Sequence, residues 1–338
     1  MMRLIIDRPN VPGNARHLRG NIVGGKNRDP LVWGRYVAVA GAYAACYELT
    51  RYFSFSHWML TAGLRMACLL LVPRRFWPAL AIGEALPIAE TAFLHLSDYG
   101  LPWAVASVVP PIVFCMPIVA LLQSRFPIVR AGGEVNIGMI VLATLLCAAM
   151  NATENSVVFS FIVMGDGSPV PSVTAQIFLA WFLGLYLGAL TLTPTILALR
   201  ERLASQPKGV VTWAAVRHSP LARELALVVV PSLALLLGIA SQVEGTTLQV
   251  VRIAMALPVV ALTVRHGWHG TSLGGLMASI AMASTSFTLQ DPAMVQAQTV
   301  LAFALSTSLL FGVRVARRQA AARQVLLAQN LPAGLHRH

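Results

Sequence analysis

The sequence predicts an all-α fold, a polytopic transmembrane helical bundle of about ten spans with both termini in the cytoplasm. Three observations lead to this prediction. Of the 338 residues, 57% are hydrophobic and 11% are charged, and the mean hydropathy is +0.69, which is typical of a chain whose solvent is mostly lipid. Apolar stretches recur along the whole chain. The short segments between these stretches alternate in charge, so they can be sorted onto two sides of a membrane.

The predicted spans follow the apolar stretches in order. They are Leu31 to Tyr47, Trp58 to Val72, Phe76 to Leu94, Pro102 to Leu122, Val135 to Met164, Val173 to Leu199, Leu225 to Ala240, Leu248 to Val264, Trp268 to Phe287 and Met294 to Val313. A transmembrane helix needs about 20 apolar residues, and the second, seventh and eighth stretches are shorter. These three are open to being tilted, half-inserted or wrongly bounded. Eight spans is therefore the alternative count, although ten fits the charges best.

The basic residues gather in the two tails and after the even-numbered spans. They include Arg74 and Arg75, Arg125 and Arg130, a cluster from Arg200 to Arg223, Arg265, and Arg314, Arg317, Arg318, Arg323 and Arg337. The segments after odd-numbered spans carry Glu48, Asp98, Asp166, Glu244 and Asp291, with Arg51 as their one basic residue. Because cytoplasmic loops are rich in Lys and Arg, both termini are predicted to be cytoplasmic.

The net charge of +12 would indicate a nucleic-acid partner in a soluble protein. Here the excess lies in predicted cytoplasmic loops, where insertion orientation and anionic lipid account for it. The expected partner is the lipid bilayer, and no nucleic-acid binding is predicted. Among the basic residues only Lys26 and Lys208 are lysines, a bias typical of GC-rich genomes that favours a bacterial plasma (inner) membrane.

Ionisable side chains within the predicted spans are the main indication of function. A charge at a helix centre costs about 2.5 to 3.5 kcal/mol on insertion scales, so it needs a partner or a wet cavity. Opposite charges in the second and third spans predict a contact between Arg65 and Glu84. Two interpretations stay open, namely buried ion pairs that fix helix register, and an outward-facing or membrane-embedded pocket for a small polar or amphiphilic ligand. The candidate ligand-binding residues are Arg65, Glu84, Glu90, Asn151, Glu154, Asn155 and Arg252.

The positions of these residues on their helices refine the expectation. Asn151, Glu154 and Asn155 are spaced i, i+3, i+4, which places them on one helical face. Glu84 and Glu90 are six residues apart, so they are expected to point in different directions and to have different partners.

No metal or cofactor site is predicted. The four cysteines, Cys46, Cys68, Cys115 and Cys147, lie inside spans without a ligand spacing and are interpreted as small apolar fillers. His266 and His269 are three residues apart, but a metal site needs three or four ligands. They are interpreted as interfacial histidines in a tight turn.

The stretches WMLTAGLR and PRRFWPAL, together with several later segments, resemble the MASE1 family of bacterial integral-membrane sensor domains. The stretch WMLTAGLR from Trp58 to Arg65, then PRRFWPAL from Pro73 to Leu80 with Gly83, is similar to the family's signature hairpin. Further segments of this chain are similar to the later spans of the family. They are Trp181 to Gly184, Gly188-Ala189, Thr193-Pro194, and Leu257-Pro258 leading into Arg265 to Gly270. The sequence departs from the pattern at Thr61, where a proline is expected two residues before the glycine.

The resemblance implies a sensory module like those at the amino terminus of histidine kinases, diguanylate cyclases and phosphodiesterases. It divides the chain into a basic cytoplasmic tail (1–30), a MASE1-like transmembrane sensor domain (31–313) and a basic, partly helical cytoplasmic tail (314–338). The last segment is too short for a kinase or cyclase domain, so the expected output partner is a histidine kinase or cyclic-di-GMP enzyme in trans.

The leading functional hypothesis is a membrane sensor that binds an unknown small ligand in an outer-half cavity and signals to a separate cytoplasmic protein. The alternative is a small-solute or lipid transporter that uses the same ionisable residues as a substrate site or proton relay. An enzyme is not predicted, because the sequence has no HExxH, GxSxG, paired Asp motif or nucleotide loop.

Overall fold

The computed structural model describes residues 30–54, 58–129, 134–170, 172–204, 219–286 and 291–329. Within these ranges the regular elements are helices, and Val129 and Val135 form an isolated β-bridge. The all-α prediction is therefore confirmed for the described part of the chain. The predicted basic tail lies outside it up to residue 29, as does the carboxyl terminus beyond residue 329.

The helices overlap the predicted spans, but the predicted spans Pro102 to Leu122 and Leu248 to Val264 are each divided between two helices. They are α1 (Pro30–Tyr52), α2 (Leu60–Leu71), α3 (Trp77–Leu94), α4 (Leu96–Ser107), α5 (Ile112–Arg125), α6 (Ile137–Phe159), α7 (Ala175–Ala204), α8 (Pro220–Ala240), α9 (Gly245–Ala254), α10 (Leu257–Ala283) and α11 (Pro292–Gln329).

Six helical segments in the described residues are long and apolar enough to cross a membrane. They are Leu96–Arg125, Ile137–Phe159, Ala175–Ala204, Pro220–Ala240, Gly245–Ala283 and Pro292–Ala322, and α2 is a shorter apolar helix. Large apolar side chains such as Phe93, Leu235 and Phe303 are mostly exposed on the outside of the bundle. Such a surface would aggregate in water but suits a lipid environment.

The segment Gly245–Ala283 reverses direction at Gly267. This glycine has φ of 62° and ψ of −150°, a backbone conformation that favours glycine. Thr263 Oγ1 lies 2.8 Å from Thr271 Oγ1, although eight residues of straight helix would separate them by about 12 Å. The two halves of α10 therefore pack against each other as a hairpin, and the tight turn predicted around His266 and His269 is confirmed.

Helix α7 forms the centre of the bundle and packs on α2, α6, α10 and α11. Its small residues allow close approach, as is common between transmembrane helices. A Cβ atom on Gly188 would overlap the carbonyl oxygen of Met59, at the start of α2. Hydroxyl groups add hydrogen bonds between the helices. Thr193 Oγ1 donates to the Gly63 carbonyl oxygen at 3.0 Å, and Thr195 Oγ1 to that of Ser272 at 3.1 Å.

Candidate functional site

The predicted contact between Arg65 and Glu84 is confirmed, and it forms a fully buried ion pair. Arg65 Nη2 lies 2.8 Å from Glu84 Oε1, and Arg65 Nε donates to the same oxygen at 3.0 Å. The guanidinium thus binds the carboxylate through two donors. Charge-assisted hydrogen bonds of this kind are stronger than hydrogen bonds between neutral groups. Arg65 is 3% exposed and Glu84 0% exposed.

Two further helices, α1 and α5, contact Glu84. The Tyr43 hydroxyl of α1 donates to Glu84 Oε2 at 2.7 Å, and the backbone N–H of Ile112, at the start of α5, donates to Oε1 at 3.2 Å. Helix α1 can reach Glu84 because α3 has Gly83 beside it, where a Cβ atom would collide with the Ala40 carbonyl oxygen. Amino-terminal N–H groups of a helix favour negative charge, so α5 also stabilises the carboxylate.

The other side of Arg65 is less completely satisfied. Arg65 Nη1 is buried and has no hydrogen-bond partner among the described residues. Electrostatic interactions link Arg65 to Cys115 of α5 and to Glu154 of α6. The Cys115 thiol lies 3.5 Å from Asn151 Oδ1, and Cys147 is a buried neighbour of Cys115. We name Tyr43, Arg65, Glu84, Cys115, Cys147, Asn151 and Glu154 the buried charge centre.

Two buried polar atoms of the buried charge centre have no hydrogen-bond partner among the described residues. Besides Arg65 Nη1, Glu154 Oε2 is buried without a hydrogen bond in the described part of the chain. An unmade hydrogen bond at a buried polar group costs about 1–3 kcal/mol, and more for a charged group. A small polar guest that accepts from Arg65 and interacts with Glu154 would recover this cost. The arrangement is thus suited to binding as well as to fixing helix register.

Three of the sequence-predicted site residues, Glu90, Asn155 and Arg252, are not members of this centre. Glu90 is exposed on α3, so it differs from Glu84 in environment, as predicted. Asn155 is half-buried on α6 beside Glu154.

Arg252 belongs to a separate cluster that ties α9 to α10 and α11. Its Nη1 lies 2.9 Å from Asp291 Oδ2, while Nε donates to Thr285 Oγ1 at 2.9 Å and Nη2 to the Thr285 carbonyl oxygen at 3.1 Å. Each guanidinium nitrogen of Arg252 therefore has a partner, in contrast to Arg65. This geometry indicates a structural clamp.

Asp291 also caps α11, because its Oδ1 accepts from the backbone N–H of Ala293 at 3.0 Å and Pro292 takes the first helical position. Partial burial raises the pKa of Asp291, but the hydrogen bond and charge of Arg252, with backbone N–H groups, lower it further than burial raises it. The net pKa lies below its ordinary value. The ionised clamp therefore contributes stability above about pH 4, and this contribution is lost as the pH falls through the lowered pKa.

A comparison with models of protein families identifies the family of this chain. The family model MASE1 matches residues 30–319, which is most of the sequence. The chain belongs to the MASE1 family. MASE1 is a family of membrane-associated sensory domains, not of catalytic ones, and this MASE1 domain is a multi-pass membrane protein. Comparisons with curated proteins and with solved structures find no match to it.

Sequence reasoning missed part of the buried charge centre of this MASE1 domain. The pattern predicts Cys115 and Cys147 to be apolar fillers, yet both are buried in this polar centre and the Cys115 thiol lies 3.5 Å from Asn151 Oδ1. A signal was available for Cys147, which lies four residues before Asn151 and so shares its helical face. No comparable signal points to Tyr43, because its role depends on α1 lying beside α3.

Proposed function

We propose that this MASE1 domain is a sensory module that binds a small polar or amphiphilic ligand at the buried charge centre. The observation that carries the proposal is that Arg65 Nη1 has no hydrogen-bond partner among the described residues, although Nη2 and Nε of the same guanidinium both contact Glu84. A purely structural arginine would be expected to resemble Arg252, whose guanidinium nitrogens are all hydrogen-bonded. Ionisable groups retained within membrane segments commonly mark functional sites.

The chemistry of the centre defines the ligand class. Arg65 Nη1 offers a donor, so the ligand carries an acceptor oxygen or a carboxylate. Glu154 lies within electrostatic reach of Arg65 and Glu84 and offers a second polar contact. Because Arg65 and Glu84 are closed off from solvent, binding requires the surrounding helices to separate. The ligand then stabilises the separated packing and shifts the population toward it.

Helix α7 provides a route from this centre to α11. Arg65 lies on α2, which packs on α7 through the Gly63 and Gly188 contacts. Helix α7 in turn packs on α11, where Tyr186 Oη lies 2.9 Å from Ser306 Oγ. In the proposed mechanism, a shift of α2 moves α7 and thereby changes the position of α11.

The proposed topology has ten spans in a bacterial inner membrane, with both termini cytoplasmic. It is supported by the charge alternation of the connecting segments and by the reversal at Gly267, which divides one apolar segment into two antiparallel halves. The carboxyl-terminal part of α11 then enters the cytoplasm and is read by a histidine kinase or a cyclic-di-GMP enzyme, the output classes with which MASE1 domains are typically fused or associated.

A transporter is the second candidate, and one observation favours it. Glu154 presents a buried carboxylate oxygen without a hydrogen bond among the described residues, and such groups also serve as proton relays or substrate sites in transporters. Solute flux in liposomes that depends on Glu84, Glu90 or Glu154 would distinguish this function from sensing.

Purification from native membranes in mild detergent, followed by mass spectrometry, tests the sensor proposal. We expect a histidine kinase, diguanylate cyclase or phosphodiesterase in stoichiometric amount. An unrelated multi-pass protein with the same tag, purified in parallel, controls for non-specific association. A chain that purifies without any such enzyme would contradict signalling to a separate protein and make liposome flux the next measurement.

A further inference from the structure

Two large cavities meet at Arg265, away from the buried charge centre. The first has a volume of about 780 Å³ and is lined by charged side chains, including Glu201, Arg202, Arg265, His269 and Arg317. The second has a volume of about 690 Å³ and is lined mainly by apolar residues of α8 and α10, with Arg265 and Glu224 at one end. Arg265 therefore lines both the polar cavity and the apolar cavity.

Arg265 has donors to spare at this junction. Its side chain is 66% exposed, and its Nη1 lies 2.9 Å from Glu224 Oε1. Glu224 Oε2 also accepts from His266 at 3.1 Å. No other hydrogen bond of the Arg265 guanidinium occurs among the described residues, so Nε and Nη2 remain available to an anion. Arginine is well suited to phosphate because its planar donors match the oxygens of that group.

The polar cavity offers several cationic donors to an anion, and one of them, Arg265, also pairs with Glu224. Three arginines and two histidines line it against two carboxylates, those of Glu134 and Glu201. Both carboxylates are engaged by cationic or potentially cationic partners, Glu134 by Arg317 at 2.7 Å and Glu201 by His269 at 3.4 Å. Basic pockets between transmembrane helices are typical sites for anionic lipid head groups.

The apolar cavity decides what kind of anion fits. Exposed residues such as Leu235, Leu257 and Ala261 line it, and it lies between α8 and the first half of α10. A soluble phosphate compound would leave this groove uncovered, whereas an acyl chain would cover it. We propose that the paired cavities bind one anionic phospholipid, with its phosphate at Arg265 and an acyl chain in the apolar groove.

The bound lipid would hold α11 in place. Ala316, Arg317 and Gln319 of this helix line the polar cavity, and Gln319 Nε2 donates to the Arg265 carbonyl oxygen at 2.9 Å. The lipid head group therefore bridges the α10 turn and the segment of α11 that leaves the bundle. Lipid composition would then affect the position of α11 independently of any ligand at the buried charge centre.

Lipid retention by the full chain tests this proposal. The chain is reconstituted in nanodiscs containing phosphatidylglycerol and phosphatidylcholine, then extracted, and the retained lipids are counted by native mass spectrometry. We expect selective retention of phosphatidylglycerol, reduced about fivefold by Arg265→Gln, since one basic residue near anionic lipid contributes about 1 kcal/mol. Arg75→Gln is the matched control, because Arg75 is an exposed arginine in another turn and does not line either cavity.

Two more variants distinguish a bound phospholipid from a soluble phosphate compound. Ala261→Trp fills the apolar groove and should abolish lipid retention while leaving the weak binding of glycerol phosphate unchanged. Glu224→Gln frees Arg265 and should maintain or increase retention. Equal losses in Arg265→Gln and Arg75→Gln would overturn the proposal, as would lipid loss in Glu224→Gln. Binding of glycerol phosphate without retained phospholipid would assign the cavity to a soluble phosphate and would also overturn it.

Discussion

Replacing Glu84 with glutamine is expected to lower the free energy of unfolding by about 3–5 kcal/mol, because removal of one partner leaves the other charge buried and uncompensated. Arg65 would keep its position between the helices but lose the carboxylate that accepts two of its donors. Tyr43 and the Ile112 N–H would also face a weaker acceptor. Reversible unfolding in mixed detergent micelles measures the change.

Two variants show whether the uncompensated charge is the cause. Glu90→Gln removes a carboxylate from the same helix at an exposed position, and its unfolding should match that of the unmodified chain. The double variant Arg65→Met with Glu84→Leu removes both charges and should recover most of the lost stability, since well-packed apolar replacements of buried pairs are often neutral or better. If Glu84→Gln unfolds like the unmodified chain, the buried pair does not stabilise the fold.

The second large effect is expected at Gly188, in the close contact between α2 and α7. A methyl group at this position would overlap the carbonyl oxygen of Met59 and lie against the backbone N of Leu60. Because both neighbours are backbone atoms, α2 must move as a unit. Overpacking of this kind costs about 1–3 kcal/mol or more. Gly188→Ala should therefore destabilise the chain and weaken the hydrogen bond from Met59 N–H to the Gly184 carbonyl oxygen.

Gly238→Ala is the matched control for this prediction. Gly238 is also within a helix, but a Cβ atom there would meet nothing within 4 Å. Alanine in a helix interior is favoured over glycine by about 0.5–1 kcal/mol, so this variant should be neutral or slightly stabilised. Equal behaviour of the two alanine variants in thermal unfolding would show that α2 and α7 are not held in close contact at Gly188.

The sequence was informative where a residue could not be tolerated without a partner. Arg65 and Glu84 were predicted to pair because each is costly alone and they lie on adjacent helices of one hairpin, and the contact is confirmed. The turn at Gly267 was predictable because a short basic segment interrupts the apolar pattern there.

Other contacts depend on which helices are neighbours, and the sequence does not specify that. Tyr43 could be assigned to Glu84 only once α1 was found beside α3. Small residues such as Gly184 and Gly188 permit close helix contact without specifying the neighbouring helix. The structure places their contact within the chain, against Met59. Arg252 was grouped with Arg65 because both are charges within spans, but its actual partner is Asp291.

In the proposed mechanism, the buried charge centre controls the end of α11 through α2 and α7. Hydrogen–deuterium exchange of residues 314–329 tests this coupling most directly, with the full chain in nanodiscs and without knowledge of the ligand. We predict that the folded double variant Arg65→Met with Glu84→Leu changes the protection of this segment several-fold, while the Gly238→Ala variant leaves it unchanged. Altered exchange confined to α2 and α3, with 314–329 unaffected, would show that the pair only stabilises the fold and would contradict the proposed control of α11.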